Sequence, residues 1–148
     1  MPTASPTLRR WSVRFLYAAI AAHLIVGMLL PLVAGAPLFA EYHARIESAF
    51  FGAHIPPAAH AHQLWWIGLF GPTVQAAAVW MGALAWIGDR QRLPFAWAAL
   101  AAGIVLWAPQ DITISLQAGV WDHVWLDLFA CASMLPPLAY LYCIDRKA

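Results

Sequence analysis

The sequence contains few charged residues. Its eight basic and seven acidic side chains make up 10% of the 148 residues, whereas hydrophobic residues make up 63%. Soluble globular proteins have about 25% charged residues and about 45–50% apolar ones. This composition excludes a soluble globular domain, and the net charge of +1 argues against a nucleic-acid partner.

Cysteine and catalytic motifs are scarce as well. The two cysteines, Cys131 and Cys143, both lie in the last apolar run. Twelve residues of α-helix would separate them by about 18 Å, which excludes a disulfide between them. The sequence has no Cys-x-x-Cys pair, glycine-rich phosphate loop or serine–histidine–aspartate order. No motif therefore identifies a reaction.

Four apolar runs are each long enough to cross a membrane as an α-helix. A bilayer core about 30 Å thick needs roughly 20 apolar residues per helix, so four helices use nearly the whole chain. The short connections between the last three helices make them antiparallel neighbours. The sequence predicts one all-α membrane domain over residues 1–148, an up-down bundle of four transmembrane helices. The predicted helices run over about residues 11–34, 64–87, 94–116 and 122–143.

The long first connection carries a fifth, amphipathic helix. Apolar side chains recur there at three- and four-residue steps, at Phe39, Tyr42, Ile46 and Phe50. This spacing predicts a helix over about residues 38–51. The helix would lie in the membrane surface with these side chains towards the lipid.

The charges sort by sign onto the two sides of the predicted bundle. One set of helix ends carries nearly all the basic side chains: Arg9, Arg10, Arg14, Arg90, Arg92, Arg146 and Lys147. Only Arg45 falls on the other side. Lysine and arginine are retained on the cytoplasmic face of a membrane. We therefore expect a multi-pass membrane protein with both termini in the cytoplasm.

Three ionisable side chains near the outer helix ends are the candidate catalytic residues. Asp127 lies within the fourth predicted helix, and His123 precedes it by one turn on the same face. Asp111 joins them if the third helix continues through Pro109. A helix that ended before this proline would be only about 23 Å long, which is short for a full crossing. We therefore expect the longer helix and a cluster of Asp111, His123 and Asp127.

The positions of the histidines indicate a divalent metal ion as a candidate cofactor. Five of the six histidines fall on the outer side beside carboxylates, and both groups are common zinc and iron ligands. The candidate ligands are His60 and His62 from the loop and His123 and Asp127 from the fourth helix. The same histidines also fit proton-linked behaviour or ordinary hydrogen bonding at the membrane surface.

Two expectations concern the packing of the helices within the membrane. His23 lies about halfway along the first helix and Gln75 at a similar depth in the second. We expect a hydrogen bond between them rather than a haem ligand at His23. Small residues such as Ala78 and Gly82 predict a close approach of helix backbones.

Three segments resemble those of small four-helix membrane proteins of proteobacteria that carry the label "cell division protein". They are LRRWSVRFLYAAIAAHLIVGMLLPL, WWIGLFGPTVQAAA and WAPQDITISLQAGVWDHVWLDLFA. The resemblance implies a protein of the bacterial inner membrane with a place in envelope or septum assembly, and it supplies no catalytic residue. The overall plan is also similar to the sterol-isomerase and sigma-2-receptor-like family. The second helix here has Thr73 and Gln75 but no acidic residue, so neither isomerase chemistry nor amine binding is implied.

Three hypotheses about function follow from these residues. The first is a non-enzymatic membrane protein that binds a partner, either another membrane protein or a second copy, and supports a membrane assembly. The second is an enzyme that modifies a lipid or hydrophobic ligand with Asp111, His123 and Asp127, with or without a metal. The third is a small proton-linked transporter. The residues leave open whether the protein is an enzyme.

Overall fold

The chain is an all-α bundle of four long helices, in a computed structural model that describes residues 6–147. Its elements are α1 (Pro6–Val33), α2 (Ala40–Phe51), α3 (Ala59–Gln91), α4 (Pro94–Gln117) and α5 (Trp121–Asp145), with a 3-10 turn before α2 at Pro37–Phe39. α1, α3, α4 and α5 are each long and apolar enough to cross a membrane. The predicted fold class is confirmed, and the chain is a multi-pass membrane protein.

The four long helices form a ring in which all neighbours are antiparallel. α1 packs mainly along α3, and α4 packs mainly along α5, while contacts of α3 with α4 and of α1 with α5 close the ring. We call the end with the start of α1, the α3–α4 turn and the end of α5 the terminal end. The opposite end is the α2 end, where α2 packs against α3.

The helices extend beyond the apolar runs that predict them. α1 begins at Pro6 rather than near residue 11, and α3 covers Ala59–Gln91 rather than about 64–87. Backbone hydrogen bonding continues into polar flanks, because helix formation does not require the side chains to be apolar. His60 and His62 therefore lie on the first turn of α3, and the expectation that they come from a loop is wrong.

Helix α4 continues through Pro109, as expected. A proline inside a helix lacks the N–H that would bond the preceding turn. Polar side chains bond backbone carbonyls around this position: Thr113 Oγ1 donates to the carbonyl of Pro109 at 2.6 Å, and Gln110 Nε2 donates to that of Leu106. The longer α4 spans the bundle and brings Asp111 to the α2 end.

α1 and α3 touch backbone to backbone at Gly27 and Gly71. A Cβ added to Gly71 would lie 2.6 Å from the Pro31 ring and 2.8 Å from the Gly27 carbonyl oxygen. The close approach expected at Gly82 is wrong, because a Cβ there would meet its nearest neighbour at an ordinary 3.7 Å. Ala78, the other residue of that expectation, is buried.

The apolar core lies in the terminal half of the bundle. Trp97 is its centre, and a Cβ added to Gly88 of α3 would lie 2.8 Å from the indole ring. The other buried members are Val13, Leu16, Ile20, Ala85, Leu100, Leu138 and Leu141. Both ends of the bundle also bury polar side chains: Arg9, Ser12 and Asp145 at the terminal end, and His43, Ser115 and Asp127 at the α2 end.

Candidate functional site at the α2 end

Asp127 is a buried carboxylic acid within the membrane-spanning helix α5. Trp121 and Trp125 are exposed on this helix, while Val124 and Asp127 face the bundle. Asp127 is 2% exposed, and no residue within 6–147 donates a hydrogen bond to its Oδ2 atom. Buried polar atoms are nearly always hydrogen-bonded, and ionisable groups within a membrane are costly. Asp127 is therefore the strongest candidate for a functional group.

Asp111 approaches Asp127 from the neighbouring helix α4. Asp111 is half-buried, and its Oδ1 accepts a hydrogen bond from Ser115 Oγ at 3.4 Å. Asp111 and His123 are the ionisable groups that act electrostatically on Asp127. The structure thus brings the three candidate catalytic residues into one region, as the extension of α4 past Pro109 requires.

His123 is held by Tyr42 of α2. The Tyr42 hydroxyl oxygen lies 2.8 Å from His123 Nε2, and the two rings stack with centroids 5.9 Å apart. Burial raises the pKa of the Tyr42 phenol, and the charges of Asp122 and Asp111 raise it further. The phenol therefore keeps its proton and is able to donate a hydrogen bond to Nε2.

Tyr42 faces the bundle, although its spacing in the sequence predicts a side chain towards the lipid. It is half-buried, whereas Phe50 of the same predicted face is 63% exposed. The signal that points to Tyr42 is its phenol, because a buried tyrosine hydroxyl needs a hydrogen-bond partner. The sequence does not identify this partner, because the contact depends on how α2 packs over the bundle.

Replacing Tyr42 by Phe is expected to lower the free energy of unfolding by about 1 kcal/mol, the usual contribution of one hydrogen bond. The folded pKa of the phenol lies above its unfolded value of about 10. Its stabilisation is therefore complete below about pH 10 and is lost as the pH rises through the folded pKa. Unfolding in detergent at neutral and alkaline pH measures both effects. A wild-type advantage that stays constant across this range would contradict the prediction.

A second polar network joins α2 to the ends of α1 and α3. The buried His43 ring places Nε2 2.6 Å from the Ala34 carbonyl oxygen and Nδ1 2.9 Å from Gln63 Nε2. Since a carbonyl only accepts, Nε2 carries the proton and Nδ1 accepts from the Gln63 amide. His60 packs edge-on against His43, and its Nδ1 lies 2.8 Å from Glu47 Oε1. These contacts attach α2 to the bundle.

The candidate metal ligands are engaged in separate contacts. His60 pairs with Glu47, His62 Nε2 accepts from Trp66 Nε1 at 2.8 Å, and His123 pairs with Tyr42. Across residues 6–147, no three His, Cys, Asp or Glu side chains converge closely enough to hold a metal ion together. The structure therefore does not bring His60, His62, His123 and Asp127 together as one ligand set.

At the terminal end, one buried carboxylate connects four parts of the chain. The Asp145 side chain is fully buried and accepts hydrogen bonds from Arg9 at 3.1 Å, from Arg92 at 3.3 Å and from Trp97 at 2.9 Å. Arg9 also donates to Asp89 at 2.7 Å. Neither acid stands out in the sequence, because both lie among basic flanks, and their pairing depends on how α1 packs against α3 and α5.

His23 lies on the exposed surface of α1, about midway between Arg14 and Val33. The hydrogen bond expected between His23 and Gln75 is wrong, because Gln75 Nε2 donates to the Gly27 carbonyl at 3.1 Å. Within the described part of the chain, no hydrogen bond, ion pair or ring contact reaches the His23 side chain. The His23 imidazole thus faces away from the bundle.

The chain is a multi-pass membrane protein with a four-helix bundle and a buried carboxyl group near each end: Asp145, which accepts from three side chains, and Asp127, one of whose oxygens has no hydrogen bond from a described residue. Comparison of the chain with protein families, with curated proteins and with solved structures finds no match. Asp127 and His23 are therefore the residues on which a function is best based.

Proposed function

We propose that this is a non-enzymatic integral protein of the bacterial inner membrane that associates laterally with a second copy of itself. The terminal end, where Arg10, Arg14, Arg90 and Arg146 are exposed, faces the cytoplasm. The association supports an envelope assembly, as the resemblance to proteins labelled "cell division protein" implies.

The observation that carries the proposal is the exposed imidazole of His23. Ionisable side chains within membrane helices nearly always face the bundle interior or a partner. Other polar side chains in these helices bond to the protein itself: Thr73 to the Leu69 carbonyl and Gln75 to that of Gly27. The His23 imidazole has no such hydrogen bond although it lies in a membrane-spanning helix. This favours association with a partner that supplies a hydrogen bond to it.

The chemistry of the α1 face favours a second copy as that partner. A neutral imidazole has one donor and one acceptor, so two His23 rings across a two-fold axis satisfy each other. Ala19, which lies one turn before His23 on the same face of α1, is only partly buried. A small residue at this position lets two membrane helices approach closely.

Replacing His23 by Leu is expected to weaken self-association about fivefold. An interhelical hydrogen bond contributes about 1 kcal/mol within a membrane, which corresponds to this ratio of dissociation constants. Full-length protein labelled at the exposed Cys143, in a Cys131→Ala background, is reconstituted into phosphatidylcholine vesicles. Energy transfer at varied protein-to-lipid ratios then measures the dissociation constant.

His54→Leu is the matched control, because His54 is exposed in the connection between α2 and α3. This control should associate like the wild type. A wild-type protein that stays monomeric at all ratios would contradict association with a second copy. In that case, the wild type and His23→Leu are each purified from the native membrane. A stoichiometric membrane protein that accompanies the wild type but not His23→Leu would show that the partner is another protein and not a second copy.

The proximity of Asp111, His123 and Asp127 favours a second candidate function, an enzyme that modifies a lipid or hydrophobic ligand. This candidate predicts that Asp127→Asn abolishes function in the cell while His23→Leu leaves it unchanged. The association proposal predicts loss of function with His23→Leu. Complementation of a deletion strain by each variant distinguishes the two.

A further inference from the structure

We propose that Asp127 is a proton-binding site, with Asp111 as the second carboxyl group of the pair. In the folded protein one Asp127 carboxylate oxygen takes up a proton from a hydronium ion. One O–H bond of hydronium breaks and leaves water, one O–H bond forms on Asp127, and the group becomes a neutral carboxylic acid. This inference goes beyond the association at His23 and does not rest on it.

Asp127 has no countercharge in the part of the chain that the structure describes. Arg45, the one arginine near this end, pairs with Glu41 and with Asp122, each at 3.1 Å. Among residues 6–147, no lysine, arginine or histidine forms an ion pair with Asp111 or Asp127. A buried carboxylate without a partner costs several kcal/mol in effective desolvation. Neutralisation by a proton removes this cost.

The imidazole on the same helix is already engaged. His123 lies one helical turn from Asp127, but its Nε2 is hydrogen-bonded to the Tyr42 hydroxyl at 2.8 Å. Helix α4, which packs along α5, contributes a second carboxyl group, Asp111, and contains no lysine, arginine or histidine. The neighbouring helix therefore supplies no countercharge for an Asp127 carboxylate.

Asp127 fits a proton better than a metal ion. Asp111 of α4 and His123 of α5 are the ionisable groups that interact with Asp127. Ser115 donates to Asp111, and Tyr42 occupies His123. A proton needs only one oxygen, and Asp127 Oδ2 is buried and has no partner among the described residues. A metal ion would need several ligands at once.

Infrared spectroscopy of the full-length protein tests the proposal directly. The protein is reconstituted in phosphatidylcholine vesicles and measured near neutral pH in water and in heavy water. We expect a carbonyl stretching band of a protonated carboxylic acid that shifts on deuteration. The band should be lost in Asp127→Asn and retained in Asp122→Asn, the control at an exposed aspartate of the same helix.

Two further measurements test the assignment of the band to Asp127 without relying on the correct folding of Asp127→Asn. Carbon-13 labelling of aspartate in the wild-type protein should shift the band, and Asp111→Asn should alter its frequency without removing it. A wild-type protein without such a band near neutral pH would overturn the proposal. So would a band that persists in Asp127→Asn or disappears in Asp111→Asn, because the proton would then lie elsewhere.

Discussion

Replacing Asp145 by Asn is expected to lower the free energy of unfolding by about 3–5 kcal/mol, the usual effect of breaking a buried ion pair. The substitution keeps the shape of the side chain but removes the charge that Arg9, Arg92 and the Trp97 indole all contact. Arg9 would keep only Asp89 as a partner. Reversible unfolding in mixed micelles with increasing denaturing detergent measures the difference.

The same substitution at the other end of α5 provides the control. Asp122 is about half exposed and pairs with the exposed Arg45 at 3.1 Å. Surface ion pairs contribute about 0–1 kcal/mol, so Asp122→Asn should change the free energy of unfolding by no more than this. Equal effects of the two substitutions would show that burial of the Asp145 group does not stabilise the bundle.

Replacing Gly71 by Ala is expected to lower the free energy of unfolding by about 1–3 kcal/mol, the usual effect of overpacking. The added methyl group would lie 2.6 Å from the ring of Pro31 and 2.8 Å from the carbonyl oxygen of Gly27. Neither a proline ring nor a backbone carbonyl can move aside alone, so α1 and α3 must separate. The same unfolding measurement detects the loss.

Gly68→Ala is the matched control for this contact. Gly68 lies on the same helix three residues earlier, and a Cβ added there would meet nothing within 4 Å. Alanine is favoured over glycine inside a helix by about 0.5–1 kcal/mol, so this variant should be as stable as the wild type or more stable. If Gly71→Ala also stabilises the protein, the prediction is wrong, and the close approach of Gly71 to Gly27 does not restrict the side chain at residue 71.

The two ends of the bundle use buried carboxyl groups in opposite ways. At the terminal end, Asp145 is surrounded by donors and attaches α5 to the rest of the bundle. At the α2 end, Asp127 is equally buried but has an oxygen without a hydrogen bond from the described residues. A saturated group stabilises a fold, whereas an unsatisfied one is available for a proton or ligand. The candidate site is therefore at the α2 end.

Much of the fold and part of the site follow from the sequence. The long apolar runs predict four membrane helices, because a bilayer core requires that length of apolar chain. The same length argument predicts that α4 continues past Pro109, and Asp111 consequently lies near Asp127. The His123–Asp127 spacing of one helical turn needs no tertiary information.

Other parts of the site depend on contacts between distant segments. The Tyr42–His123 contact requires α2 to fold over the bundle, and periodicity alone places Tyr42 towards the lipid. Gln75 bonds the Gly27 carbonyl rather than His23 because two glycines let α1 and α3 meet at that point. A pattern of polarity within one helix does not specify which neighbouring helix a side chain meets.

The amino-acid sequence alone predicts a bundle of four long apolar helices, since hydrophobic length and the spacing of polar residues are local properties. It also predicts that one set of helix ends carries nearly all the basic residues. Three features emerge from the packed bundle: Asp145 is saturated, Asp127 is buried with an oxygen that no described residue hydrogen-bonds, and His23 is exposed. Hydrogen-bond satisfaction depends on the rotation and depth of each helix against its neighbours. Those contacts are set by packing the whole bundle at once.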